Sequence, residues 1–483
     1  MVSSESQERT ERWRRLLSNT RIGSESRPTL AASSATPDAA RRLLDERTAY
    51  DRDYDRIVFS SEFRCLHDKT QVFPLSTSDY TRTRLTHSIE ASCVGRSLGQ
   101  QAGLGLREQG VDLEPARMGT IVAAACLAHD IGNPPFGHSG EAAIQHWVEQ
   151  RLTPPGTGSA SPFQTEAEWK DLRDFEGNAQ GFRILNRLQS RERRGGLRYT
   201  AATLGAMSKY PRPSVLPGSR EPAKGIVSEK KFGYFQDDRE LAELAYRELG
   251  LREREPGVFC RHPLAFLVEA ADDICYAVID LEDSAKLGLL PMQQACELLE
   301  SLLPEAPRSR PSRHLETRMA QARAMAIGEL IPACVSAFLE HAAALEAGTL
   351  ETSLRSLRPE VKKKLGAITD LTRRYGYESE RVLQIESAGF KTLGGLLEMF
   401  ACAVVAEAPN REERKLRQLM PLECFQRPEF AAADDEAPPE RDEAIRRLSP
   451  YRRLLCVTDY ISGLSDSRAV ELFQRLSGIK LPT

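Results

Sequence analysis

His129 and Asp130 stand side by side at the end of an apolar stretch, and both side chains are of types that bind metal ions. The stretch from Met118 predicts a buried helix, because no Gly or Pro interrupts residues 120–130 and Gly132-Asn-Pro-Pro135 ends the pattern. The pair is therefore predicted at the junction of a helix with a loop. A buried His that donates to a neighbouring Asp is also an ordinary core arrangement, so the dipeptide alone leaves both interpretations open.

Two other segments offer further ligands, and a hydrolytic metal centre needs about three or four nitrogen or oxygen donors. Upstream, His87 begins an amphipathic stretch in which Thr86 or Ser88 can cap a helix. Downstream, Asp272 and Asp273 lie in a mostly apolar helical pattern, where a carboxylate is costly to bury without a cation or hydrogen-bond partners. The third candidate ligand is His87, and one of the two carboxylates is the fourth.

A site with two imidazoles and two carboxylates suits a divalent transition metal. We expect Mn²⁺, with Co²⁺, Fe²⁺, Ni²⁺, Zn²⁺ and Mg²⁺ as alternatives, although imidazole is a poor ligand for Mg²⁺.

His138 and Glu141 lie three residues apart at the predicted start of the next helix. This spacing lets the carboxylate orient the imidazole, whereas the alternative is a surface His in a loop. The sequence has neither the P-loop pattern nor a G-x-G-x-x-G after a strand, so a helical pocket must hold any phosphate-bearing substrate.

The order of these residues, and the strings around them, resemble the deoxyguanosine triphosphate triphosphohydrolase family of the metal-dependent HD-domain phosphohydrolases. The resemblance spans roughly residues 50 to 290, continues more loosely to Leu455–Asp466, and differs at Cys65, where the family pattern has a second Arg. The strings that carry it are Phe63-Arg64, Lys69-Thr-Gln-Val-Phe73, Arg82-Thr-Arg-Leu-Thr-His-Ser88, His129-Asp-Ile-Gly-Asn-Pro-Pro-Phe-Gly-His138, Phe175-Glu-Gly-Asn-Ala-Gln180, Lys231-Phe-Gly-Tyr-Phe235 and Ala271-Asp-Asp-Ile-Cys-Tyr276.

The resemblance implies roles for individual residues. It makes His138 the acid or base and Glu141 its orienter, and it favours Asp272 over Asp273 as the ligand because the ligand precedes Tyr276 by four residues. Phosphate and base contacts are implied for Lys209, Tyr210, Lys230, Lys231 and Tyr276. Sugar and pocket contacts are implied for Gln71, Asp280 and Asn178, although such side chains also commonly tie helices together.

The implied activity is metal-dependent hydrolysis of dGTP to deoxyguanosine and inorganic triphosphate. One alternative is a broad-specificity or allosterically activated dNTP triphosphohydrolase. Another is a catalytically silent HD protein that binds nucleotides or nucleic acid, suggested by the basic segments 187–198 and 411–417. The resemblance also implies a homo-oligomer, a tetramer or hexamer, with single-stranded DNA or a dNTP as effector.

Composition narrows the class of protein. The formal net charge of −3 gives no global basic field of the kind that a dedicated nucleic-acid binder carries. The 10 cysteines contain no C-x-x-C pair and lie mostly in apolar surroundings, which indicates reduced core residues and a cytoplasmic protein. We find no 18-residue apolar stretch and no signal peptide, so we expect no membrane partner.

The periodicity and the resemblance together predict an all-α protein, an HD-domain helical fold with an extra helical carboxy-terminal region and at most a small β-hairpin. A short β element is predicted around Val227–Phe235, where the pattern suits a hairpin or an extended loop. Residues 1–45 are predicted to be a disordered tail with a short helix at Glu8–Leu17. Residues 46–300 form the predicted catalytic domain. Residues 301–483 form the predicted carboxy-terminal region, which we interpret as a cover or an assembly surface rather than a source of chemistry.

Overall fold

Helices form nearly all of the regular structure in the part of the chain that the computed structural model describes, residues 4–24, 47–71, 82–156, 161–303, 312–430 and 440–480. The α-helices before position 300 are α1 (Ser4–Leu16), α2 (Ala49–Val58), α3 (Ser61–Cys65), α4 (Arg84–Glu108), α5 (Pro115–Ala128), α6 (His138–Arg151), α7 (Glu166–Arg173), α8 (Gly177–Asn186), α9 (Ala201–Met207), α10 (Arg239–Glu248), α11 (Pro263–Lys286) and α12 (Met292–Glu300).

The carboxy-terminal region is also helical, which agrees with the predicted fold class. Its α-helices are α13 (Leu315–Glu340), α14 (Ala342–Ala347), α15 (Pro359–Thr372), α16 (Glu380–Val405), α17 (Arg411–Leu419), α18 (Arg441–Arg446), α19 (Pro450–Ser462) and α20 (Asp466–Leu476). A π-helical turn, Arg373–Tyr377, follows α15.

A β-hairpin is present, but at a different position from the predicted one. Strand β1 (Glu253–Glu255) pairs antiparallel with β2 (Val258–Phe259). At Val227–Phe235 the β interpretation is wrong and the loop alternative holds, because residues 227–229 form a 3-10 turn and the following residues are irregular. Phe232 and Phe235 pack edge to face there with ring centroids 5.8 Å apart, so the aromatic pattern reflects a buried loop rather than an alternating strand.

Helices α4 and α5 pack unusually closely because α4 presents a glycine once per turn. A Cβ atom on Gly95 would lie 2.6 Å from the Cys126 sulfur, and one on Gly99 would lie 2.7 Å from the Met118 carbonyl oxygen. A Cβ atom on Gly103 would lie 2.8 Å from the Pro115 Cα atom. This contact brings the first turn of α4 beside the end of α5, and α11 packs across both helices.

Two large buried apolar clusters fill most of the interior of the described residues. The first is built around α4, α5 and α11 and extends to Ile368, and the second joins α6 and α7 to α16, α19 and α20. Each cluster takes side chains from both sides of position 300. The two regions predicted from the sequence therefore share their interiors, and the boundary between them stays a prediction.

The amino-terminal segment is packed onto the protein, contrary to the prediction of a disordered tail for residues 4–24. The short helix predicted at Glu8–Leu17 is present as α1. Trp13 and Leu16 of α1 are buried, and the Trp13 indole donates to Glu346 at 2.9 Å. The polar composition of this segment led to the prediction of a tail. Two of its apolar residues, Trp13 and Leu16, are three positions apart and therefore lie on one face of the helix. Residues 25–45 of the predicted tail lie outside the described residues.

Two helices, α13 and α16, have 18-residue windows with mean hydropathy of 1.5 and 1.4, long and apolar enough to cross a membrane. The prediction that no such stretch exists is wrong by this criterion. Core helices pass the same test, and α16 contributes Leu393, Leu396 and Phe400 to the second cluster. The cytoplasmic location stays a prediction.

Candidate metal centre and active site

The four predicted metal ligands come from three helices that meet at one place. His87 lies in the first turn of α4, His129 and Asp130 follow the last residue of α5, and Asp272 lies in the middle of α11. The start of α4 is fixed by a bridge between Thr83 and Thr70. Each ligand is therefore held by an element that is packed in the core.

The donor atoms of the four side chains converge. The Oδ1 atom of Asp272 lies 3.2 Å from His87 Nε2 and 3.4 Å from His129 Nε2. His129 Nε2 lies 3.5 Å from Asp130 Oδ1, and one donor atom from each of His87, His129 and Asp130 falls within a 4.8 Å group. His87, His129 and Asp130 thus offer two nitrogen donors and one oxygen donor to a single cation, and Asp272 Oδ1 lies against both imidazoles.

The hydrogen bonds of His129 leave one ring nitrogen for a metal ion. Its Nδ1 donates to the Cys126 carbonyl oxygen at 2.6 Å, and its buried Nε2 has no hydrogen-bond partner among the described residues. A buried nitrogen left in this state is costly unless something binds it. Since that nitrogen faces carboxylate oxygens, the residues fit a divalent cation.

The charges around the ligands also fit a cation. Burial acts to lower the pKa of His129, but the carboxylates of Asp130 and Asp272 raise it to about 9. Burial opposes ionisation of Asp130, yet His129 and Arg84 hold the pKa of that carboxyl well below its usual value. Arg84 donates to Asp130 Oδ2 at 2.7 Å, and Asn133 donates to Oδ1 at 2.6 Å. The neighbouring carboxylates favour a proton on Nε2 of His129. A metal ion bound to that nitrogen would replace this proton.

Asp272 and Asp273 have different partners. Lys209 Nζ lies 2.7 Å from Asp272 Oδ2, and Asp273 lies 3.2 Å from Arg355. The structure thus places Asp272, and not Asp273, beside the two histidines. Burial acts to lower the pKa of Lys209, but the neighbouring Asp272 raises it overall.

His138 and Glu141 form a hydrogen-bonded pair at the start of α6. His138 Nδ1 lies 3.0 Å from Glu141 Oε2, and the Gly177 N–H donates to Glu141 Oε1 at 2.8 Å. Burial acts to raise the pKa of Glu141, but the hydrogen bond with His138 and the charge of Lys231 lower it. The imidazole is 83% exposed while its carboxylate partner is buried, so the ring is oriented and open to a substrate.

The loop between Asp130 and His138 has a strained backbone. Phe136 has φ of +62° and Gly137 has φ of +57°, a region that costs a residue with a side chain about 1–3 kcal/mol. At Gly137 a Cβ atom would also lie 2.4 Å from Arg84 Nη2. The neighbouring structure must hold this loop in place.

Lys230 and Lys231, two of the three predicted phosphate-contacting lysines, border cavities that Lys209 does not line. A cavity of about 420 Å³ is lined by Glu141, Lys230 and Lys231, and a cavity of about 440 Å³ is lined by Tyr210, Lys230 and Asp273. Tyr210 is buried beneath the Arg261 guanidinium, which lies 5.6 Å from the ring centroid. Tyr210 therefore offers little face to a ligand in this conformation.

The predicted sugar contacts include two unsatisfied polar atoms. Gln71 Oε1 and Asp280 Oδ1 are buried and have no hydrogen-bond partner among the described residues. The other Asp280 oxygen accepts from the Tyr377 hydroxyl at 2.5 Å, and Tyr377 stacks on Tyr276 at 5.9 Å between centroids. Asn178 instead donates to Glu176 at 2.7 Å.

Tyr377 contacts two predicted site residues, Asp280 and Tyr276, and the sequence analysis missed it. It lies at the end of the π-helical turn, well beyond the strings that carry the resemblance. The aromatic sequence Tyr375-Gly-Tyr377 is the one local signal that could have drawn attention to it.

Comparisons with known proteins identify the relatives of this chain. A family model described as the HD domain matches residues 84–160, which include His87, His129, Asp130 and His138. A deoxyguanosinetriphosphate triphosphohydrolase-like protein of Synechocystis sp. is 40% identical over 476 residues, 97% of this chain and all 100% of the relative. A protein of the same description from Pseudomonas aeruginosa is 38% identical over 90% of this chain and 95% of its own length. The deoxyguanosinetriphosphate triphosphohydrolase of Serratia proteamaculans is 29% identical over 91% of this chain and 96% of its own length.

Proposed function

Because the chain belongs to the deoxyguanosinetriphosphate triphosphohydrolase family, we propose that it is a metal-dependent hydrolase that converts dGTP to deoxyguanosine and inorganic triphosphate. The observation that carries the proposal is the convergence of donor atoms of His87, His129 and Asp130, with Asp272 against both imidazoles. An oriented, exposed imidazole, His138, follows Asp130 by eight residues. Phosphoryl chemistry relies mainly on positioning and charge neutralisation, and this arrangement supplies both.

His87, His129, Asp130 and Asp272 are the proposed ligands, and Mn²⁺ is the proposed ion. When bound, the cation supplies Lewis-acid stabilisation of the charge on the phosphoryl oxygens. The donor set supports a transition metal because imidazole nitrogen suits Mn²⁺ better than Mg²⁺.

His138 is the proposed acid or base. Glu141 holds the Nδ1 position of the ring by a hydrogen bond of 3.0 Å, which leaves Nε2 to exchange a proton with water or with the leaving oxygen. The contacts of Glu141 with Gly177 and Lys231 keep the carboxylate in place. A positioned proton-transfer group of this kind contributes about 10²–10⁴-fold to a rate.

The remaining predicted residues are proposed to bind the nucleotide. Lys209, Lys230 and Lys231 are proposed to neutralise the negative charge of the triphosphate. This neutralisation favours phosphoryl chemistry. The unsatisfied oxygens of Gln71 and Asp280 can accept hydrogen bonds from sugar hydroxyls. Tyr276, stacked on Tyr377, is proposed to face the nucleotide.

Replacement of one ligand tests this proposal. We expect Asp130→Ala to lose hydrolysis of dGTP, because it removes a donor and leaves Arg84 without its carboxylate partner. Asp112→Ala is the matched control, since Asp112 is an exposed aspartate in the loop between α4 and α5. Full activity in Asp130→Ala would contradict the proposed site.

The proposal has a broader form, in which several dNTPs are substrates and one of them activates the enzyme. Both forms use the same metal centre, so assays with each dNTP alone and in mixtures separate them. The homo-oligomer and an effector role for single-stranded DNA or a dNTP stay predictions, which light scattering and a mobility shift with single-stranded DNA test.

A further inference from the structure

The carboxylate of Asp466 joins two active-site segments that are distant in sequence. Its Oδ1 accepts from the Phe136 N–H at 2.9 Å. Its Oδ2 accepts from the Thr70 N–H at 3.0 Å and also from the Thr70 hydroxyl. Asp466 is only 1% exposed, so water does not compete for these bonds. One side chain at the start of α20 therefore fixes the chain just before Gln71 and just before His138.

The ammonium group of Lys69 makes a parallel connection. Its Nζ donates to the Asn133 carbonyl oxygen at 2.7 Å and to the Ser462 carbonyl oxygen at 2.7 Å. Lys69 is buried and forms no ion pair with a described residue, so these carbonyls are what hold it. Asn133 in turn donates to the metal-ligand candidate Asp130. The end of α19 is thus tied to the same loop.

Both connections reach the loop between Asp130 and His138, at positions 133 and 136. Phe136 is the residue with φ of +62°, and its N–H is the group that Asp466 accepts from. A charged acceptor on a strained backbone position is one way to keep that conformation populated. Nothing in α19 or α20 itself carries a predicted ligand or acid–base group.

We propose that Asp466 and Lys69 are positioning residues, through which helices α19 and α20 set the placement of the His138 loop relative to the metal ligands. The effect of this placement on catalysis rests on the proposed function. The hydrogen bonds of Asp466 and Lys69 do not depend on it. The carboxy-terminal region then acts on the chemistry from outside the site, rather than only covering it.

The test compares Asp466→Ala and Asp466→Asn with Glu471→Ala. The amide of Asn offers one oxygen to two segments that both present donors, so its effect should lie between those of the wild-type protein and Asp466→Ala. Glu471 is the matched control because it is a carboxylate on the same helix that pairs with Arg468 and Arg475 on the surface.

Amide hydrogen exchange is the first measurement because it needs no activity. We expect Asp466→Ala to speed exchange in the peptide that contains Phe136 by about 10- to 100-fold, as for the loss of a hydrogen bond to a charged acceptor. The control should leave that peptide unchanged. Unchanged exchange in Asp466→Ala, or a rise spread evenly over the whole protein, would overturn the proposal.

Steady-state kinetics with dGTP and Mn²⁺ then separate positioning from binding. We expect kcat to fall by about tenfold or more while KM changes by less than about threefold, because the loop affects geometry more than substrate affinity. A kcat equal to that of Glu471→Ala overturns the proposal. If neither Asp466 variant is soluble, Thr70→Val removes the hydroxyl donor to the same carboxylate, and the same two readouts decide. If the wild-type protein hydrolyses no dNTP, the proposed function fails, while the exchange result still decides the structural claim.

Discussion

Asp272 and Asp273 are neighbours on α11 with different surroundings, and this difference makes a sharp test of the metal site. Asp272 lies beside His87 and His129, whereas Asp273 pairs with Arg355. We expect Asp272→Asn to weaken Mn²⁺ binding, measured by calorimetry, by more than about 100-fold and to abolish hydrolysis, whereas a change outside the ligand set costs about 10- to 100-fold at most. Asp273→Asn is the matched control, and equal losses in the two variants would contradict the assignment.

His138 should matter for the rate and not for the metal. We expect His138→Ala to lower kcat by about 10²–10⁴-fold, because the ring is the proposed proton-transfer group. Metal content, measured by mass spectrometry, should not change, since His138 bonds to Glu141 rather than to a ligand. His146→Ala removes another imidazole from α6 and serves as the control. A His138→Ala variant with wild-type kcat would rule out the role.

Some site residues can be predicted from the sequence because they are polar or charged side chains within apolar segments. His129, Asp130 and Asp272 interrupt apolar helical patterns, which is the signal that drew attention to them. Tyr377 and Asp466 give no such signal. Their partners, Asp280 and Phe136, are 97 and 330 residues away, and a hydrogen bond across that separation leaves no local pattern.

At the scale of elements, the all-helical fold class could be predicted from the sequence. The contacts between helices could not. The glycine stripe of α4 was present in the sequence with a spacing of four, but its meaning depends on which helix lies opposite. The sequence left both a hairpin and an extended loop open at Val227–Phe235 for a related reason, because aromatic residues in a buried loop resemble those of a strand.

His262 joins α1 to the helix that carries Asp272, and it makes that junction sensitive to acid. Its Nε2 donates to the Leu16 carbonyl oxygen at 2.9 Å, and its Nδ1 accepts from the Leu264 N–H at 3.1 Å. Burial lowers the pKa of His262 to about 4, against 6.5 for an ordinary His. Between those two pH values the unfolded chain binds a proton that the folded protein does not, so the free energy of unfolding falls as the pH falls, by about 3 kcal/mol at most.

The test is the drop in the thermal unfolding midpoint between pH 7.0 and pH 4.5. These two pH values lie on either side of about 6.5, the pKa of an ordinary His. His262→Asn keeps an acceptor for the Leu264 N–H but cannot be protonated, so its drop should be smaller than that of the wild-type protein. His314→Asn, at an exposed His, should behave as the wild-type protein does. Identical drops in all three proteins would show that His262 does not control this transition.

At the scale of the whole molecule, one buried guanidinium connects regions that the sequence analysis had separated. Arg183 of α8 lies 2.8 Å from Asp459 of α19, 2.9 Å from Asp237 and 3.0 Å from Asp238. All four side chains are buried. The predicted division into a catalytic domain and a covering region could not include this network, because charged residues in a sequence are ordinarily assigned to the surface.

Removal of that guanidinium should destabilise the whole protein. We expect Arg183→Met to lower the free energy of unfolding by about 3–5 kcal/mol, because it removes the guanidinium that contacts all three buried carboxylates. Asp237 and Asp238 keep other arginine partners. Asp459 keeps only one arginine among the described residues, Arg191, at 3.9 Å.

Arg468→Met is the control, since its pair with Glu471 lies on the surface and should contribute little to stability. Denaturant unfolding at neutral pH measures both, and a cost for Arg183→Met as small as that of the control would contradict the structural role.

The most direct test of the central claim is product analysis. Purified protein is incubated with Mn²⁺ and each dNTP separately, and the products are separated by ion-exchange chromatography. The proposed function predicts deoxyguanosine and intact inorganic triphosphate from dGTP, and triphosphate from several dNTPs would support the broader enzyme. No triphosphate from any dNTP, alone or in mixtures, would contradict the account and favour a protein that binds nucleotides without hydrolysing them.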